Sequence, residues 1–477
     1  MKRTYINDLH TKSDEEVLVK GWIQNRRDQG KMIFCDIRDA SGLVQGVILP
    51  HAIEALNVGQ TIRPEWVVAI QGKVNKRPEK NINPDNLNGD IELEILAITV
   101  LNEAVTPPFD ITTDGIEINE QTRLKYRYLD LRRPRMQRNI RTYHDIASFV
   151  RTFLVNERFV EIETPILTKS TPEGARDFLV PSRLQHGKFY ALPQSPQQYK
   201  QLLMIAGFER YFQIARCFRD EDSRADRAFG EFTQIDIEMS FVTQEDILQI
   251  TECMFTEMVK KLFPHKHITQ TPWPRLSHHE AIKMYSTDKP DLRKNKDDPN
   301  ELAFAWTLDF PLFTTQKDDD FFHGSGKATF APSHHMFTAP HPDDMELLDT
   351  DPTKVRGLQH DLVLNGFEVG GGSIRIHDAT TQQKVFDLIG FTREQKQDFA
   401  HILEAFTYGV PPHGGIAPGL DRLTMVLLGE KSLREVVAFP ADGSGNTAVM
   451  DAPSPVTSEQ LKELSIAINK NNEQDAK

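Results

Sequence analysis

Cysteine is scarce in this 477-residue sequence, and Cys35, Cys217 and Cys253 lie far apart along it. Three isolated thiols indicate neither a disulfide framework nor a zinc site. Long apolar runs are lacking too, because no stretch approaches the roughly 20 residues that a membrane helix needs. The opening MKRTYINDLH turns polar before any signal-peptide core could form. A reducing cytoplasm is the expected location.

Positive charge is also in deficit, since 56 Lys and Arg face 69 Asp and Glu for a net charge of −13. The total argues mildly against nucleic-acid binding, although a local concentration of positive charge can still bind RNA. Hydrophobic residues at 39% and charged residues at 26% are typical of a globular protein. The length predicts about two to four domains.

Residues 1–105 have the pattern of a small β-rich module. Segments with β-branched and aromatic residues alternate with turn-forming clusters such as that from Asn81 to Gly89. Five short strands fit a small closed barrel such as the OB-fold, and a small β-sandwich is the alternative on pattern alone. The expected strands are Val17–Ile23, Met32–Arg38, Leu43–Leu49, Trp66–Val74 and Ile91–Leu101.

Residues 106–135 are expected to form a linker or hinge, which begins at Pro107 and Pro108 and becomes basic. Either a solvated helix face or a phosphate-contacting surface explains the positive charges, and the sequence favours neither. The basic residues are Lys125, Arg127, Arg132, Arg133, Arg135, Arg138 and Arg141.

A large α/β or α+β domain is expected over residues 136–450, followed by a polar extension over 451–477 with one short helix near Leu461 and Leu464. The domain opens with an amphipathic helix and then a strand halted by Pro165. The apolar residues at helical spacing are Ile146, Phe149, Val150, Phe153 and Leu154.

A charged hairpin is the first candidate for chemistry. The strand Tyr211–Phe218 ends at Arg219, a loop dense in Arg and Asp follows, and the strand Glu231–Phe241 returns. An arginine at a strand end suits bidentate contact with phosphate oxygens, and Phe232 offers a ring for stacking on a flat base. An exposed hairpin laced with salt bridges is the structural alternative.

A glycine-rich segment from Gly414 to Gly419 is the second candidate. Closely spaced glycines allow a ligand to approach the backbone, and an apolar helix follows from Leu420 with Arg422 in its first turn. A positively polarised helix start with an arginine favours a polyphosphate. The Walker spacing is missing, so a P-loop is not indicated.

Two carboxylates beside a glycine run form the third candidate. Asp361 and Glu368 precede Gly370–Gly372 and could hold magnesium between phosphates, although such residues are more often on the surface. The adjacent His334 and His335 would point to opposite faces of a strand, which is unsuited to one shared metal.

In order, these segments resemble the three motifs of class II aminoacyl-tRNA synthetases. The strand ending at Thr164–Pro165 is similar to the first motif at the dimer interface, Phe218–Glu221 with Phe232 to the second, and Gly415–Leu423 to the third. An OB-fold that precedes these motifs resembles the arrangement in the subgroup specific for aspartate, asparagine and lysine. Finer segments are similar to bacterial aspartyl enzymes, namely Tyr126–Arg133, Thr171–Asp177, Gln194–Lys200 and His334–Pro340.

The resemblance covers nearly the whole chain. It implies an α+β fold, in which an OB-fold barrel precedes a catalytic antiparallel sheet flanked by helices. It also implies a homodimer that uses ATP and Mg²⁺ to activate L-aspartate and transfers it to tRNA(Asp), with tRNA(Asn) left open.

Individual roles also follow from the resemblance. Lys200 and Arg375 would hold the side-chain carboxylate of aspartate, and His334 would complete the pocket. Arg219 would bridge the reacting carboxylate and the α-phosphate, and Arg422 would contact the γ-phosphate. With Glu368 these two arginines are expected to be catalytic. Glu173, Gln197 and Asp236 would bind or enclose the amino end of aspartate.

The resemblance also implies which residues bind the nucleotide, the metal and the tRNA. Magnesium would lie between Asp361 and Glu368, and Phe232 would stack on adenine. The other implied ATP contacts are Asp220, Glu221, Glu368, Gly419, Leu420 and Asp421. The anticodon would be read by Arg27, Phe34, Gln45 and Glu92, with Phe34 stacking on a splayed base.

The sequence departs from the family pattern in three places. Asp288–Arg293 is followed almost at once by Leu302–Trp306, so the inserted domain usual in bacterial members is expected to be absent. The stretch Ala228–Glu231 lacks the glutamine of the pattern, so that ATP contact cannot be carried over. Met336 stands where a proline is usual.

Two other functions compete with this interpretation. An asparaginyl or lysyl synthetase is disfavoured by the pair Lys200 and Arg375. A non-catalytic tRNA-binding paralogue is expected to have lost Arg219, Glu368 or Arg422, and all three are present.

Overall fold

The structure is a computed structural model that describes residues 1–84, 88–170, 174–227, 229–315 and 329–469. It divides into two compact units, Met1–Ile118 and Asn119–Lys477. The finer division expected at residues 105, 135 and 450 stays a prediction. Within the described ranges, no helix combines the length and apolar character needed to cross a membrane.

The first unit contains the expected closed barrel, whose hydrogen-bonded neighbours follow the order β1-β2-β3-β5-β4. The OB-fold prediction is therefore confirmed and the β-sandwich alternative is not. Its elements are β1 Glu16–Asp28, β2 Ile33–Arg38, β3 Leu43–Ile48, α1 Ile53–Thr61, β4 Val67–Lys76 and β5 Ile91–Asn102.

Alternation of side chains across each strand builds the barrel core. In β2, Ile33, Cys35 and Ile37 are buried, and Phe34 between them faces outward and is half-exposed. Helix α1 was missed by the sequence analysis because it buries only Ala55 and Gly59, which leaves no apolar stripe to recognise.

The second unit is built on a sheet with the order β12-β14-β17-β18-β19-β10-β9-β6. The expected antiparallel arrangement holds at its centre, but β12 pairs with β14 and β6 with β9 in parallel, so the sheet is mixed. The strands of this unit are β6 Val160–Glu161, β7 Leu179–Pro181, β8 Phe189–Ala191, β9 Arg210–Arg219, β10 Gly230–Ser240, β11 His267–Ile268, β12 Arg275–Ser277, β13 Glu301–Leu302, β14 Phe304–Leu308, β15 Phe313–Thr315, β16 Phe330–Pro332, β17 Gln359–Leu364, β18 Phe367–Ile374 and β19 His413–Pro418.

The second unit also contains twelve α-helices in the described residues, as expected for an α+β fold. They are α2 Glu120–Lys125, α3 Arg127–Asp130, α4 Pro134–Asn156, α5 Gln197–Ile205, α6 Gln244–Leu262, α7 His278–Tyr285, α8 Leu347–Thr350, α9 Ala379–Leu388, α10 Arg393–Asp398, α11 Ala400–Ala405, α12 Leu420–Leu428 and α13 Ser458–Glu463.

Helix α4 confirms the amphipathic prediction. Proline stands at its N-terminal turn, where no backbone N–H is needed. Ile146, Val150 and Leu154 are fully buried in the core that the sheet shares with α6 and α12. Burial of each such side chain contributes about 1.5–3 kcal/mol.

Glycines in β18 and β19 let the central strands approach each other. A Cβ at Gly415 would lie 2.0 Å from the carbonyl oxygen of Ile237, and one at Gly372 would lie 2.1 Å from the carbonyl oxygen of Gly415. The glycine run had been interpreted as making room for a ligand. In the structure, these positions must be glycine because neighbouring strands pack too closely for a Cβ atom.

Both sequence interpretations of the basic stretch are wrong for Arg127 and Arg133, whereas Lys125, Arg138 and Arg141 are exposed and leave the choice open. Arg123, Arg127 and Arg133 are buried, and each donates to the carboxylate of Asp130. Arg123 also pairs with Glu435 at 2.7 Å. Long-range carboxylates neutralise these cations, which sequence spacing alone could not reveal.

Candidate functional site

A cavity of about 240 Å³ lies over the centre of the large sheet. Its walls come from β9, β10, β18, the start of α5 and the start of α12, so the fold brings together residues more than two hundred positions apart. The predicted site residues that line it are Gln197, Lys200, Arg219, Glu221, Phe232, Asp236, His334, Glu368, Arg375, Gly419, Asp421 and Arg422.

Other predicted residues lie elsewhere. Asp220 and Asp361 do not line the cavity, and Leu420 is fully buried in the core. The side chain of Leu420 therefore has no access to ATP, and only its backbone could contact the nucleotide. Glu173 falls outside the described residues.

Four charged side chains form a buried network at the floor of the cavity. Lys200 Nζ lies 2.6 Å from Asp236 Oδ1 and 3.3 Å from Glu238 Oε2. Arg375 donates through Nε and Nη2 to the two oxygens of Glu238, at 3.0 and 3.1 Å. None of the four is more than 3% exposed. We call these residues the charge quartet.

Local structure explains how the quartet forms. Asp236 and Glu238 are two residues apart on β10, so both side chains project from the same face of the sheet. Lys200 reaches them from the first turn of α5. Arg375 follows the last residue of β18, where its backbone N–H donates to His413 at 2.9 Å.

Two buried carboxylates within the quartet compensate the charge of the two predicted cations. Burial opposes ionisation of Glu238, but Arg375 and Lys200 outweigh it and hold the pKa of Glu238 at about 2. Burial also raises the pKa of Asp236, against the opposing effect of Lys200. Two unpaired buried cations would be very costly, so the fold supplies two carboxylates. Glu238 had carried no role in the sequence-based expectations.

Arg219 and Phe232 both line the cavity at the end of the β9–β10 hairpin where the loop joins the two strands. The guanidinium carbon of Arg219 lies 5.1 Å from the centre of the Phe232 ring, and its Nε–H donates to the carbonyl of Gln194 at 3.4 Å. One face of the ring is thus covered by the arginine. An adenine that stacks on Phe232 would use the other face.

Arg422 is fixed where α12 begins. Its Nη1 donates to the carbonyl of Glu368 at 2.6 Å and its Nε to the carbonyl of Asp226 at 3.0 Å. The neighbouring Asp421 accepts the backbone N–H of Thr233 at 2.9 Å. The carboxylate of Asp421 therefore anchors the helix to β10, which leaves Arg422 as the charged group presented to the cavity.

Three polar atoms converge above Gly371. A Cβ at this glycine would lie 3.2 Å from His334 Nε2, 3.3 Å from Asp361 Oδ1 and 3.6 Å from Glu368 Oε1. Burial, followed by repulsion from Glu368, raises the pKa of Asp361 well above its ordinary range. A cation between the two carboxylates would relieve this repulsion.

The two adjacent histidines behave differently from the expectation. They lie in a loop rather than a strand, and both His334 and His335 line the cavity. Burial lowers the pKa of His335 well below its usual value. The expectation that the two histidine side chains point to opposite faces of a strand was therefore wrong.

Several cavity residues were not singled out from the sequence. Arg224, Asp226 and Arg227 belong to the charged hairpin loop, where charge density was visible but the choice among residues was not. Arg227 pairs with Glu221 at 2.9 Å. Lys289 also lines the cavity and carried no local signal at all.

A second cavity, of about 510 Å³, lies on the outer face of the barrel in the first unit. Phe34, Gln45 and Glu92 line it, on three different strands. Arg27 does not line it, but its Nη2 donates to Gln45 at 3.3 Å and pairs with Asp36 at 3.2 Å. The predicted anticodon residues are thus neighbours on one surface.

Each of the two units matches the model of a known protein family. The model for tRNA synthetases class II (D, K and N) matches residues 119–443, and that for the OB-fold nucleic acid binding domain matches residues 17–101. The chain belongs to the class II tRNA synthetases of the D, K and N group.

Individual relatives are more specific. An Aspartate--tRNA(Asp/Asn) ligase of Geobacillus sp. (strain WCH70) is 41% identical over 95% of this chain and 96% of that protein. An Aspartate--tRNA ligase of Lysinibacillus sphaericus (strain C3-41) is 40% identical over 97% of this chain and 98% of that protein. The alignment with the Geobacillus protein spans 582 positions, whereas this chain has 477 residues. The Geobacillus protein therefore contains segments that this chain lacks.

Solved structures agree in fold. Asparaginyl-tRNA synthetase from Pyrococcus horikoshii, complexed with asparaginyl-adenylate, superposes with a TM-score of 0.72 at 21% identity, over 92% of this chain and 98% of that one. Aspartyl tRNA synthetase from Entamoeba histolytica gives 0.71 at 24% identity, over 92% and 91%. At these identities the likeness concerns the fold alone.

Proposed function

We propose that this chain is an aspartate–tRNA ligase. It activates L-aspartate with ATP, releases pyrophosphate, and transfers the aspartyl group to the 3′ end of tRNA(Asp). The observation that carries the proposal is full-length similarity to aspartate–tRNA ligases, at about 40% identity, in a chain whose cavity holds the charge quartet.

The quartet supports selection of aspartate. Lys200 and Arg375 would share their positive charge between the two carboxylates that fix them and the side-chain carboxylate of the substrate. Asparagine would forgo a charged partner, at a cost of roughly 2–5 kcal/mol for a buried cation. Gln197, Asp236 and His334 stand in the same cavity to receive the amino end and close the pocket.

Activation needs positioning and charge neutralisation rather than a protein nucleophile. The α-carboxylate of aspartate attacks the α-phosphorus of ATP in line, and the P–O bond to pyrophosphate breaks. Arg219 at the end of β9 would stabilise the charge that develops on the α-phosphate, and Arg422 would hold the far phosphates. Phe232 would orient the adenine by stacking.

Transfer to tRNA follows from the same intermediate. A hydroxyl of the terminal ribose attacks the carbonyl carbon of the mixed anhydride, its proton is released, and AMP leaves. AMP is a stable leaving group, so orientation of the two reactants supplies much of the rate acceleration.

Magnesium fits the carboxylate pair. Asp361 and Glu368 would hold it, because their mutual repulsion is the kind that a divalent cation relieves and their oxygens are ligands it prefers. When bound, it would neutralise phosphate charge. In the described parts of the chain, no three His, Cys, Asp or Glu side chains form a metal site by themselves, so substrate phosphates and water would complete the coordination. Glu368→Gln should raise the half-saturating Mg²⁺ concentration for activation.

Anticodon reading is assigned to the cavity of the barrel. Phe34 would stack on an unpaired base, while Arg27, Gln45 and Glu92 would supply hydrogen bonds to base edges. The range of tRNA substrates, tRNA(Asp) alone or tRNA(Asp) together with tRNA(Asn), is resolved by aminoacylating the two purified tRNAs side by side.

A homodimer working in the cytoplasm is part of the proposal. Val160, Ile166 and Leu167 are 41–52% exposed around the strand assigned to the dimer interface, where a partner chain would cover them. Light scattering on the purified protein should give twice the chain mass of 54.5 kDa. A monomer at micromolar concentration would contradict this part.

The direct test is ATP–pyrophosphate exchange with aspartate, asparagine or lysine as the only amino acid. Aspartate alone should support exchange, and Arg219→Ala should abolish it. Exchange that depends on asparagine or lysine would favour the sister enzymes. An absence of exchange, with tRNA still bound, would favour a non-catalytic paralogue.

A further inference from the structure

Lys289 brings an unassigned positive charge to the cavity wall. It lies in the loop at residues 286–300, between α7 and β13, at the place in the chain where the inserted domain of bacterial members is expected to be absent. The residue is exposed at the rim, and among the described residues its ammonium takes part in no ion pair. Lys200, by contrast, is committed to Asp236 and Glu238.

The backbone on either side of Lys289 is anchored. The carbonyl of Asp288 accepts the hydroxyl of Thr307 at 2.7 Å, and Thr307 is fully buried. On the other side, Pro290 is buried and Asp291 forms two hydrogen bonds with the Arg293 side chain, at 3.0 and 2.8 Å. The loop therefore presents Lys289 from a fixed base.

The far end of this loop is also anchored. The carboxylate of Glu301 accepts the backbone N–H groups of Lys294 and Asn295 at 2.7 and 2.8 Å. Glu301 is itself buried at the start of β13. A short loop held at both ends keeps the charge of Lys289 near one place, which reduces the entropy lost when a ligand binds.

Lys289 lies on the phosphate side of the cavity. It shares the cavity wall with Glu368 and Arg422, and its charge lies close enough to Asp361 to interact with that carboxylate. The polyphosphate of ATP is assigned to this same group of residues. A lysine suits this position because it binds phosphate as a compact point charge.

We propose that Lys289 binds the β- and γ-phosphates of ATP and so holds the pyrophosphate that leaves in the activation step. This inference rests on the proposed function and adds a phosphate-binding residue to it. Lys289 would act with Arg422, from a different part of the chain. Neutralisation of the leaving group lowers the barrier to breaking the P–O bond.

The test measures equilibrium binding of ATP, pyrophosphate and AMP to the purified full-length chain. In Lys289→Met, binding of ATP and pyrophosphate should weaken about tenfold, the effect of losing one charged hydrogen bond. AMP binding should not change, since AMP lacks both phosphates. Lys289→Arg should recover most of the loss. Lys296→Met is the matched control, because Lys296 lies in the same loop but faces Asp291 at 4.0 Å.

The outcomes separate the two claims. Equal affinity of wild type and Lys289→Met for ATP would overturn the role of Lys289, even in an enzyme fully active with aspartate. Equal weakening of ATP and AMP binding would also overturn it, because that pattern indicates a general disturbance of the cavity. Absence of aspartate-dependent exchange in the wild type would instead contradict the proposed function.

Discussion

Glu238 and Arg375 form a buried bidentate salt bridge, with N···O distances of 3.0 and 3.1 Å. The same carboxylate lies 3.3 Å from Lys200. Glu238 thus positions both cations to which the aspartate side chain is assigned, without being placed to touch the substrate itself. In the proposed pocket, selectivity would therefore depend on a residue that neither charge counts nor spacing had marked.

Glu238→Gln should lower the free energy of unfolding by about 3–5 kcal/mol, because it leaves Arg375 and Lys200 buried with one compensating carboxylate fewer. Urea denaturation would measure the change. Glu245→Gln is the control, since Glu245 pairs with Arg275 on the surface, and it should cost less than about 1 kcal/mol. Equal losses in the two variants would refute the special cost of the quartet.

Lys200→Leu should remove the preference for aspartate over asparagine, which we put at roughly 2–5 kcal/mol. The reason is that Asp236 and Glu238 would then face the substrate with only Arg375 to balance them. Exchange assays with each amino acid give the ratio of kcat/KM values. Lys188→Leu, at an exposed position of the β8 hairpin, should keep the wild-type ratio. Unchanged selectivity in Lys200→Leu would exclude Lys200 from the specificity pocket.

Phe34→Ala should weaken tRNA charging and leave adenylate formation intact. Stacking of one base on an aromatic ring contributes about 1–3 kcal/mol, and the barrel cavity lies in the first unit. The measurement compares aminoacylation with ATP–pyrophosphate exchange. Ile53→Ala, an exposed apolar residue on α1, is the control. Parallel loss of both half-reactions would mean that Phe34 only stabilises the barrel.

His413 should make the protein sensitive to mild acid. Burial lowers the pKa of His413 from its ordinary 6.5, and Arg375 acts in the same direction against Glu238 and the Pro411 carbonyl. The unfolded chain therefore binds one proton more than the folded chain once the pH falls below about 6.5. Stability should drop with falling pH by up to about 1.4 kcal/mol per unit from this residue.

His413→Gln isolates that contribution. The free energy of unfolding of the variant should fall less steeply between pH 7 and pH 5 than that of the wild type, in the same urea titrations. The exposed His279→Gln should follow the wild-type curve. If the slope of His413→Gln equals that of the wild type, His413 does not remain neutral in the folded protein.

Local sequence patterns were sufficient for the secondary structure near the site. Alternation of apolar residues predicted the barrel strands, and helical spacing from Ile146 to Leu154 predicted the core face of α4. The hairpin that carries Arg219 and Phe232 was predicted too, since a strand, a charged loop and a second strand follow each other directly. Periodicity is set by backbone geometry, so it can be recognised without knowledge of the fold.

The sequence by itself determined the family, the barrel ahead of an α+β unit, and twelve of the 25 residues that line the cavity. Only the tertiary structure decided which charges meet: Glu238 with Lys200 and Arg375, Asp130 with its three arginines, and Lys289 with the cavity that Arg422 also lines. The physical reason is that an ion pair depends on the distance between two atoms in space. That distance is set by strand register and loop anchoring, and not by separation along the chain.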